Sequence, residues 1–269
     1  MIAWIVVFIF GAIVGSFLNV CIHRMPNGES VVWPSSHCPK CKKRIPAYDN
    51  IPFISYILLG GRCRFCKERI SLRYPLVEFL TAGLFLLFYM RFGLSFDFLL
   101  YIVLVCLLIT ASFIDIAHRI IPDEVSLGGI VLGILLSVVR SVHINPFFWQ
   151  GRFLLDSFLG VIVGGAIIYF SGFIFDLIYF KLLKKPPIQG ETESMGGGDV
   201  KLLAMIGAFL GWKLALITFF IAPFFGLSVG VINLILKKDH TIPYGPFLSL
   251  AAILALFFGE SILRYLFFL

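Results

Sequence analysis

The sequence has few charged residues for its length, and this scarcity excludes most classes of soluble protein. Only 14% of the 269 residues are charged, whereas 59% are hydrophobic and 30 are phenylalanine. A soluble domain is about a quarter charged and roughly half apolar. Together with a mean hydropathy of +0.99, the composition indicates a polytopic membrane protein, so we expect the lipid bilayer to be a partner of the chain.

Acidic residues are scarcer than basic ones, which leaves a formal net charge of +7. A basic surface can bind nucleic acid, but here Lys and Arg are concentrated in loops between apolar runs, as is typical of orientation in a bilayer. We therefore expect no nucleic-acid partner. The first apolar run has no positive charge before it and no small-residue cleavage motif after it. We interpret 1–22 as a permanent transmembrane helix and not as a cleavable signal peptide.

Eight apolar runs approach the roughly 20 residues that a helix needs to cross a membrane. The sixth run is short, so we expect a tilted, broken or partly re-entrant helix there. The predicted fold class is an all-α polytopic membrane protein with about eight transmembrane helices and a small insertion. The approximate limits of the runs are 2–22, 74–90, 97–115, 124–140, 154–180, 199–211, 214–236 and 243–264.

The distribution of basic residues predicts the orientation of these helices. The loop at 23–73 and the loops on its side of an eight-helix topology hold 16 Lys and Arg, and the opposite side holds five. Basic residues concentrate on the cytosolic side, so 23–73 should be a cytosolic domain, both termini should lie outside, and 74–269 should form the transmembrane core. Outside 23–73, the basic residues counted on the cytosolic side are Arg119, Lys181, Lys184, Lys185, Lys237 and Lys238.

Four cysteines lie in the loop 23–73, which is too small for a secure apolar core. Cys38, Cys41, Cys63 and Cys66 form two C-x-x-C pairs separated by 21 residues. This spacing predicts a zinc ribbon, in which four thiolates fill the tetrahedral coordination and make the zinc structural. The alternative is four reduced cysteines without a metal; a disulfide is disfavoured because the cytosol is reducing.

Two aspartates lie at the ends of apolar runs, where a charge is costly. Asp115 ends the third predicted helix and Asp199 begins the sixth, so the predicted topology places both at a similar shallow depth near the cytosol. Two carboxyl groups that share a proton can activate water and polarise a peptide carbonyl, as in aspartic proteases. Two membrane aspartates are also compatible with ion coupling, or with pairing to Arg or Lys.

Three glycines, Gly196, Gly197 and Gly198, immediately precede Asp199. A backbone without Cβ can unwind and let an extended substrate peptide approach closely, so these glycines are candidate substrate-binding residues. Asp123 follows a proline at the start of the fourth predicted helix, where its expected role is helix capping.

The chain resembles the type IV prepilin peptidases in motifs that occur in order along nearly its whole length. The motifs are GSFLNVCIHRMP, CPKC with CRFC, DNIPFISYILLGGRC, SLRYPLVEFLTAG, FIDIAHRIIPD, MGGGDVKLLAMIGAFLGW and IPYGPFL. The resemblance implies an intramembrane aspartic peptidase of the G-x-G-D type, with Asp115 and Asp199 as the catalytic pair. It also implies prepilin and pseudopilin substrates in a bacterial inner membrane, with cleavage of a short basic leader on the cytosolic side.

Many members of this family also methylate the new N-terminal amine with S-adenosylmethionine, and the resemblance places that activity in the cysteine-containing region. Asp49 stands where a glutamate is expected in many members, so the carboxylate is one methylene shorter. Asp49 and Asn50 are candidates for holding the amine or the methyl donor. The alternative for both is a turn before Pro52.

Two other functions are compatible with the same residues. An ion-coupled transporter would use the aspartates for transport and release no peptide product. A non-enzymatic scaffold would use the cysteine domain to recruit a partner, and loss of both aspartates would then have no effect.

Overall fold

The computed structural model of the chain describes residues 2–144, 152–183, 195–236 and 242–267. Lys184, Lys185, Lys237 and Lys238, which contributed to the predicted orientation, lie outside these ranges. The chain divides into two compact units, Met1–Ile114 (unit 1) and Asp115–Leu269 (unit 2).

The described residues are mainly helical and contain no extended β-strand, which confirms the predicted fold class. Short 3₁₀ turns occur at Met25–Asn27 and Ala47–Asn50, and a π-helical turn at Leu177–Leu182 follows α6. The α-helices are α1 (Ile2–Arg24), α2 (Ile54–Leu58), α3 (Arg73–Phe92), α4 (Phe96–His118), α5 (Asp123–Ile144), α6 (Arg152–Asp176), α7 (Gly197–Leu210), α8 (Trp212–Ile235) and α9 (Gly245–Phe267).

In the described ranges, seven helices are long and apolar enough to cross a membrane: α1, α3, α4, α5, α6, α8 and α9. The eighth predicted run corresponds to α7, which has only 14 residues. At 1.5 Å per residue this helix is about 21 Å long, shorter than the roughly 30 Å hydrocarbon core of a bilayer. The prediction of a short sixth membrane segment is therefore confirmed.

In unit 1, α1 packs closely against α3 because glycines remove side chains from the contact. A Cβ on Gly11 would lie 2.8 Å from the Ala82 Cα, and one on Gly15 would lie 2.8 Å from the Glu78 Cα. The rings of Phe8 and Phe79 meet edge to face, with centroids 6.2 Å apart. This close approach brings polar residues of α1 next to the first turns of α3.

In unit 2, α7 is surrounded by other helices. Its residues from Leu202 to Phe209 are all buried. Gly160 of α6 and Gly207 of α7 face each other so closely that a Cβ on either would overlap the backbone of the other. Ser157 strengthens this contact by donating a hydrogen bond to the Ala208 carbonyl oxygen (2.7 Å). The buried position of α7 fixes where its first turn, and therefore Asp199, lies in the unit.

Candidate functional site

Asp115 lies in the last turn of α4 and is only 6% exposed. Its carboxylate Oδ2 accepts a hydrogen bond of 2.8 Å from the backbone N–H of Gly245, the first residue of α9. A buried carboxylate is costly unless donors satisfy it, and a helix N-terminus supplies free N–H groups with a positive partial charge. The start of α9 therefore stabilises the negative charge of Asp115.

Asp199 is the third residue of α7 and is half-buried. Its backbone N–H donates to the Gly196 carbonyl oxygen at 3.0 Å, which closes the first turn of the helix. Both candidate catalytic aspartates thus lie beside a helix N-terminus within unit 2.

The carboxyl groups of Asp115 and Asp199 are close enough to interact electrostatically, so the fold brings together two side chains that are 84 positions apart in the sequence. Tyr244 belongs to the same group. Burial, together with the negative charge of Asp199, raises the pKa of Tyr244 to about 12. Tyr244 therefore keeps its O–H near neutral pH and can donate a hydrogen bond. The cluster thus contains two carboxyl groups and one phenol, a set that can move protons and bind a polar substrate group.

Sequence analysis did not find Tyr244 or Gly245 as site residues. Gly245 allows a close approach: a Cβ there would lie 2.8 Å from Asp115 Oδ2 and 3.4 Å from its Cγ. Both residues belong to the IPYGPFL motif. The available signal was its Tyr-Gly-Pro segment, since α9 begins at the glycine of that segment. Sequence alone does not indicate which carboxylate that helix start would meet.

Asp123 does not join the pair. It is the first residue of α5 and is exposed, and its Oδ1 accepts a hydrogen bond of 2.6 Å from Lys201 Nζ. Asp123 thus forms an ion pair with α7, and not the capping hydrogen bond that we expected.

The three candidate substrate-binding glycines differ in conformation. Gly196 is extended (φ −69°, ψ 138°), whereas Gly197 and Gly198 already belong to the first turn of α7. A Cβ on Gly197 would meet no atom within 4 Å, but one on Gly198 would lie 3.2 Å from the Ile121 Cβ. Open space therefore exists at Gly197, two residues before Asp199.

The four predicted metal ligands come together in unit 1. One ligand atom from each of Cys38, Cys41, Cys63 and Cys66 lies within 4.8 Å of all the others, and the Sγ atoms of Cys38 and Cys66 are 3.8 Å apart. Tetrahedral zinc with Zn–S bonds of about 2.3 Å requires S···S distances of about 3.8 Å. The donor set and its spacing fit a Cys₄ zinc site.

The two knuckles repeat the same hydrogen bonds, a local repeat that sequence analysis missed. The N–H of the first cysteine in each knuckle donates to the carbonyl oxygen five residues later, from Cys38 to Lys43 and from Cys63 to Glu68. The residue after each second cysteine has a positive φ, +58° at Lys42 and +59° at Lys67. Backbone N–H groups, mainly that of Cys66, lower the pKa of the Cys63 thiol to about 7, which favours the thiolate that a metal binds.

Asp49 and Asn50 lie in the 3₁₀ turn Ala47–Asn50 and line a cavity of about 490 Å³ within unit 1. Arg64 binds Asp49 through two hydrogen bonds of 2.6 Å, one to each carboxylate oxygen. Hydrogen bonds from Arg64 lower the pKa of Asp49, so this carboxyl stays ionised. Both oxygens of Asp49 thus already have a protein partner.

Two family descriptions match the chain. Residues 9–92 match the bacterial peptidase A24 N-terminal domain, and residues 102–231 match the type IV leader peptidase family. Relatives named prepilin leader peptidase/N-methyltransferase are 37% identical in Myxococcus xanthus, over 85% of this chain, and 33% identical in Pseudomonas putida, over 94% of it. The chain spans 62% of the length of the first relative and 90% of the second. No solved structure matches the chain.

Together, the helical membrane fold and these matches define a membrane peptidase with methyltransferase relatives. The chain belongs to the type IV leader peptidase family. The resemblance inferred from the ordered motifs is thereby confirmed. This membership favours the peptidase over the transporter and the scaffold that the residues alone left open.

Proposed function

We propose that the chain cleaves the leader of prepilins and pseudopilins by a two-aspartate mechanism. The observation that carries this proposal is the electrostatic interaction of Asp115 with Asp199, in a cluster where the start of α9 supports Asp115. The names of the relatives in Myxococcus xanthus and Pseudomonas putida support prepilins as the substrate class.

The geometry supports different roles for the two carboxyl groups. The Gly245 N–H donates to Asp115 and stabilises its ionised form, so we assign Asp115 the role of the base that takes a proton from water. Asp199, in its protonated form, then donates a hydrogen bond to the peptide carbonyl. The water adds to the carbonyl carbon, the leaving amine receives a proton, and no covalent enzyme intermediate forms.

We further propose that the enzyme lies in the bacterial inner membrane with both termini outside. The segment 23–73 would then be a cytosolic domain, between a first helix at 1–22 and a transmembrane peptidase core at 74–269. This orientation rests on the 16 to five distribution of basic residues. It places both aspartates on the side where a short basic leader would be removed, beside the extended backbone at Gly196 and the open space at Gly197.

A second proposed activity is N-methylation of the new N-terminus, with S-adenosylmethionine as the methyl donor. The relatives' names include N-methyltransferase, and the cavity in unit 1 lies within the size range of small-molecule sites, about 300–1,000 Å³. Asp49 and Asn50 line this cavity. Arg64 donates a hydrogen bond to each carboxylate oxygen of Asp49. We therefore propose that Asp49 forms part of the cavity wall and does not bind the methyl donor directly.

Mass analysis of a prepilin incubated with the purified enzyme tests both activities. Without S-adenosylmethionine, the product should lack its leader and carry a free N-terminal amine. With the donor, the product should gain the mass of one methyl group. An intact prepilin in both reactions would contradict the peptidase proposal, and a cleaved but unmethylated product would contradict the second activity alone.

We propose that the four cysteines hold one structural zinc ion. Four thiolates leave no open position for water, so the ion would stabilise the loop and take no part in either reaction. Metal analysis of the purified protein should find about one zinc per chain, and Cys38→Ser or Cys66→Ser should reduce it to a trace, because each removes one of four thiolates.

Cys106→Ser is the matched control, since Cys106 lies in α4 and outside the cluster. Its zinc content should equal that of the unmodified protein. Metal-free protein with an ordered loop would contradict the zinc assignment.

A further inference from the structure

The cavity in unit 1 is lined by residues with unsatisfied polar atoms, and the proposed peptidase mechanism does not use these residues. It lies among the C-terminal half of α1, the first turns of α3 and the cysteine-containing loop. Asp115 and Asp199 belong to the other unit. The proposed peptidase mechanism therefore gives no role to the polar groups of this cavity wall.

Asn19, on α1, lines this cavity and contains a buried acceptor atom. The residue is only 2% exposed, and its Nδ2 donates to the Tyr74 carbonyl oxygen (3.0 Å) and to the Gly15 carbonyl oxygen (3.4 Å). A carbonyl oxygen can only accept a hydrogen bond, so the amide atom of Asn19 that faces these two carbonyl oxygens must be the nitrogen. The other amide atom is then the oxygen, Oδ1. Asn19 Oδ1 has no hydrogen-bond partner. A buried acceptor without a donor is costly, which points to a ligand that donates N–H or O–H.

Glu78, on α3, adds a carboxyl group to the same cavity wall. It is 8% exposed, and its Oε2 accepts the Phe53 N–H at 3.0 Å. Within the described part of the chain, no Lys, Arg or His forms an ion pair with it. A carboxylate can accept about four hydrogen bonds, so Glu78 retains free acceptor capacity. A cation with several N–H donors satisfies both Glu78 and Asn19.

Arg73, the first residue of α3, supplies the opposite charge. It lines the same cavity, and its Nε is buried without a hydrogen-bond partner. The guanidinium lies 5.4 Å from the centroid of the Tyr74 ring, which orients it by a cation–π contact. A guanidinium N–H without an acceptor in a buried place favours an anionic oxygen.

We propose that this cavity binds the amino-acid head group of a small ligand, with the α-ammonium at Asn19 and Glu78 and the α-carboxylate at Arg73. The two charges of such a head group are on one carbon, so one small ligand offers both an ammonium for Asn19 and Glu78 and a carboxylate for Arg73. S-adenosylmethionine carries this head group. The inference therefore rests on the proposed methyl transfer and names the residues that would hold its donor.

The ammonium at Asn19 and Glu78 has a second possible source, the new N-terminal amine of a processed pilin. That amine has no carboxylate on its own α-carbon and leaves Arg73 without an acceptor. The methyl donor is the better fit because it uses all three groups. Substitution of Arg73 distinguishes the two sources. It should weaken binding of the methyl donor, whose carboxylate needs Arg73, and should not affect binding of the pilin amine.

Calorimetric titration of the purified full-length enzyme tests this assignment with two probes. S-adenosylhomocysteine contains the amino-acid head group, and 5′-methylthioadenosine is the same nucleoside without it. Glu78→Gln and Arg73→Gln should each weaken S-adenosylhomocysteine binding by about tenfold or more, since each removes a charge-assisted hydrogen bond. The affinity for 5′-methylthioadenosine should stay within about twofold, because neither residue would touch the nucleoside.

Two controls address folding. In Glu78→Gln the Gln oxygen can still accept the Phe53 N–H, and the zinc content of both variants should match that of the unmodified protein. Glu29→Gln removes an exposed carboxylate outside the cavity and should leave both affinities unchanged.

The alternative outcomes overturn the inference in distinct ways. If the enzyme methylates a pilin but the two variants bind S-adenosylhomocysteine normally, the head group lies elsewhere and the proposed function stands. If the affinities for both probes fall equally, the residues support the fold of the cavity and not the head group. If Arg73→Gln has no effect, and Glu78→Gln raises only the KM for the pilin peptide, then the group bound at Asn19 and Glu78 is the N-terminal amine of the pilin. If the unmodified enzyme neither binds the probe nor methylates, both proposals fail.

Discussion

Asp115→Asn and Asp199→Asn should each lower the rate of prepilin cleavage by about 10³-fold or more, to the background of the assay. Asparagine has nearly the shape of aspartate, but it can neither take a proton from water nor donate an O–H to a carbonyl. In the proposed mechanism each carboxyl group performs one of these steps, so neither can replace the other. Cleavage of a purified prepilin, followed by mass spectrometry over a time course, measures the effect.

The fold should survive both substitutions. In Asp115→Asn the amide oxygen of the new side chain can still accept the Gly245 N–H, and Asp199 lies in the first turn of α7, outside the buried segment from Leu202 to Phe209. Expression level, helicity and zinc content should therefore be unchanged. Methylation of a pilin peptide supplied without its leader should also continue, because that activity is proposed for unit 1.

Asp123→Asn is the matched control for this experiment. Asp123 is eight residues from Asp115 and ends the same motif, but it is exposed and pairs with Lys201. An exposed ion pair contributes roughly 0–1 kcal/mol, so this variant should cleave at a rate close to that of the unmodified enzyme. Normal cleavage by Asp115→Asn or Asp199→Asn would remove that residue from the mechanism. A loss in Asp123→Asn equal to the other two would mean that the effect is not specific to the pair.

The sequence predicted the helices well because long apolar runs have few alternatives in a membrane. The predicted third helix, 97–115, corresponds to α4 at Phe96–His118, and the start of the predicted fourth helix differs by one residue from Asp123. The end of α4 was less predictable. The helix continues for three residues beyond Asp115 and stops before Arg119, whose φ is +56°. Arginine at such a position carries no terminator signal comparable to glycine.

The candidate sites were predictable to different degrees. The Cys₄ cluster is local, and the C-x-x-C spacing alone brings each pair of thiols together. The contact between Gly245 and Asp115 spans 130 positions, and no sequence period connects residues so far apart. The same applies to Asn19 and Tyr74, and to Glu78 and Phe53. Sequence analysis selected the candidate catalytic and metal-binding side chains, whereas the groups that contact them depend on how the helices pack.

Asp49 shows how a correct choice of residue type can still miss the partner. The predicted carboxylate lines the cavity, but Arg64 occupies both of its oxygens. Nothing in the spacing of 15 residues predicts that pair, because it forms between the 3₁₀ turn and the second knuckle. Glu78, in the apolar run of α3, retains the acceptor capacity that was expected of Asp49.

Gly245→Ala should lower the kcat of cleavage by about 10- to 100-fold with little change in KM or stability. The added Cβ would lie 2.8 Å from Asp115 Oδ2, closer than two such atoms can approach. The side chain of Asp115 can rotate away more easily than the backbone of α9 can move, so the clash displaces the carboxyl group and spares the fold. A misplacement of about 1 Å at a reacting group can cost 10²-fold in rate.

Steady-state kinetics with a prepilin substrate, together with a thermal unfolding curve, measures this prediction. Gly128→Ala is the control, because a Cβ at that position of α5 would meet no atom within 4 Å. Alanine also favours a helix over glycine by about 1 kcal/mol, so the control should be as stable as the unmodified enzyme or more stable, with normal kcat. If Gly245→Ala kept full kcat, the position of the Asp115 carboxyl beside the start of α9 would not matter for cleavage. The proposed role of Asp115 as the base held by the Gly245 N–H would then be wrong.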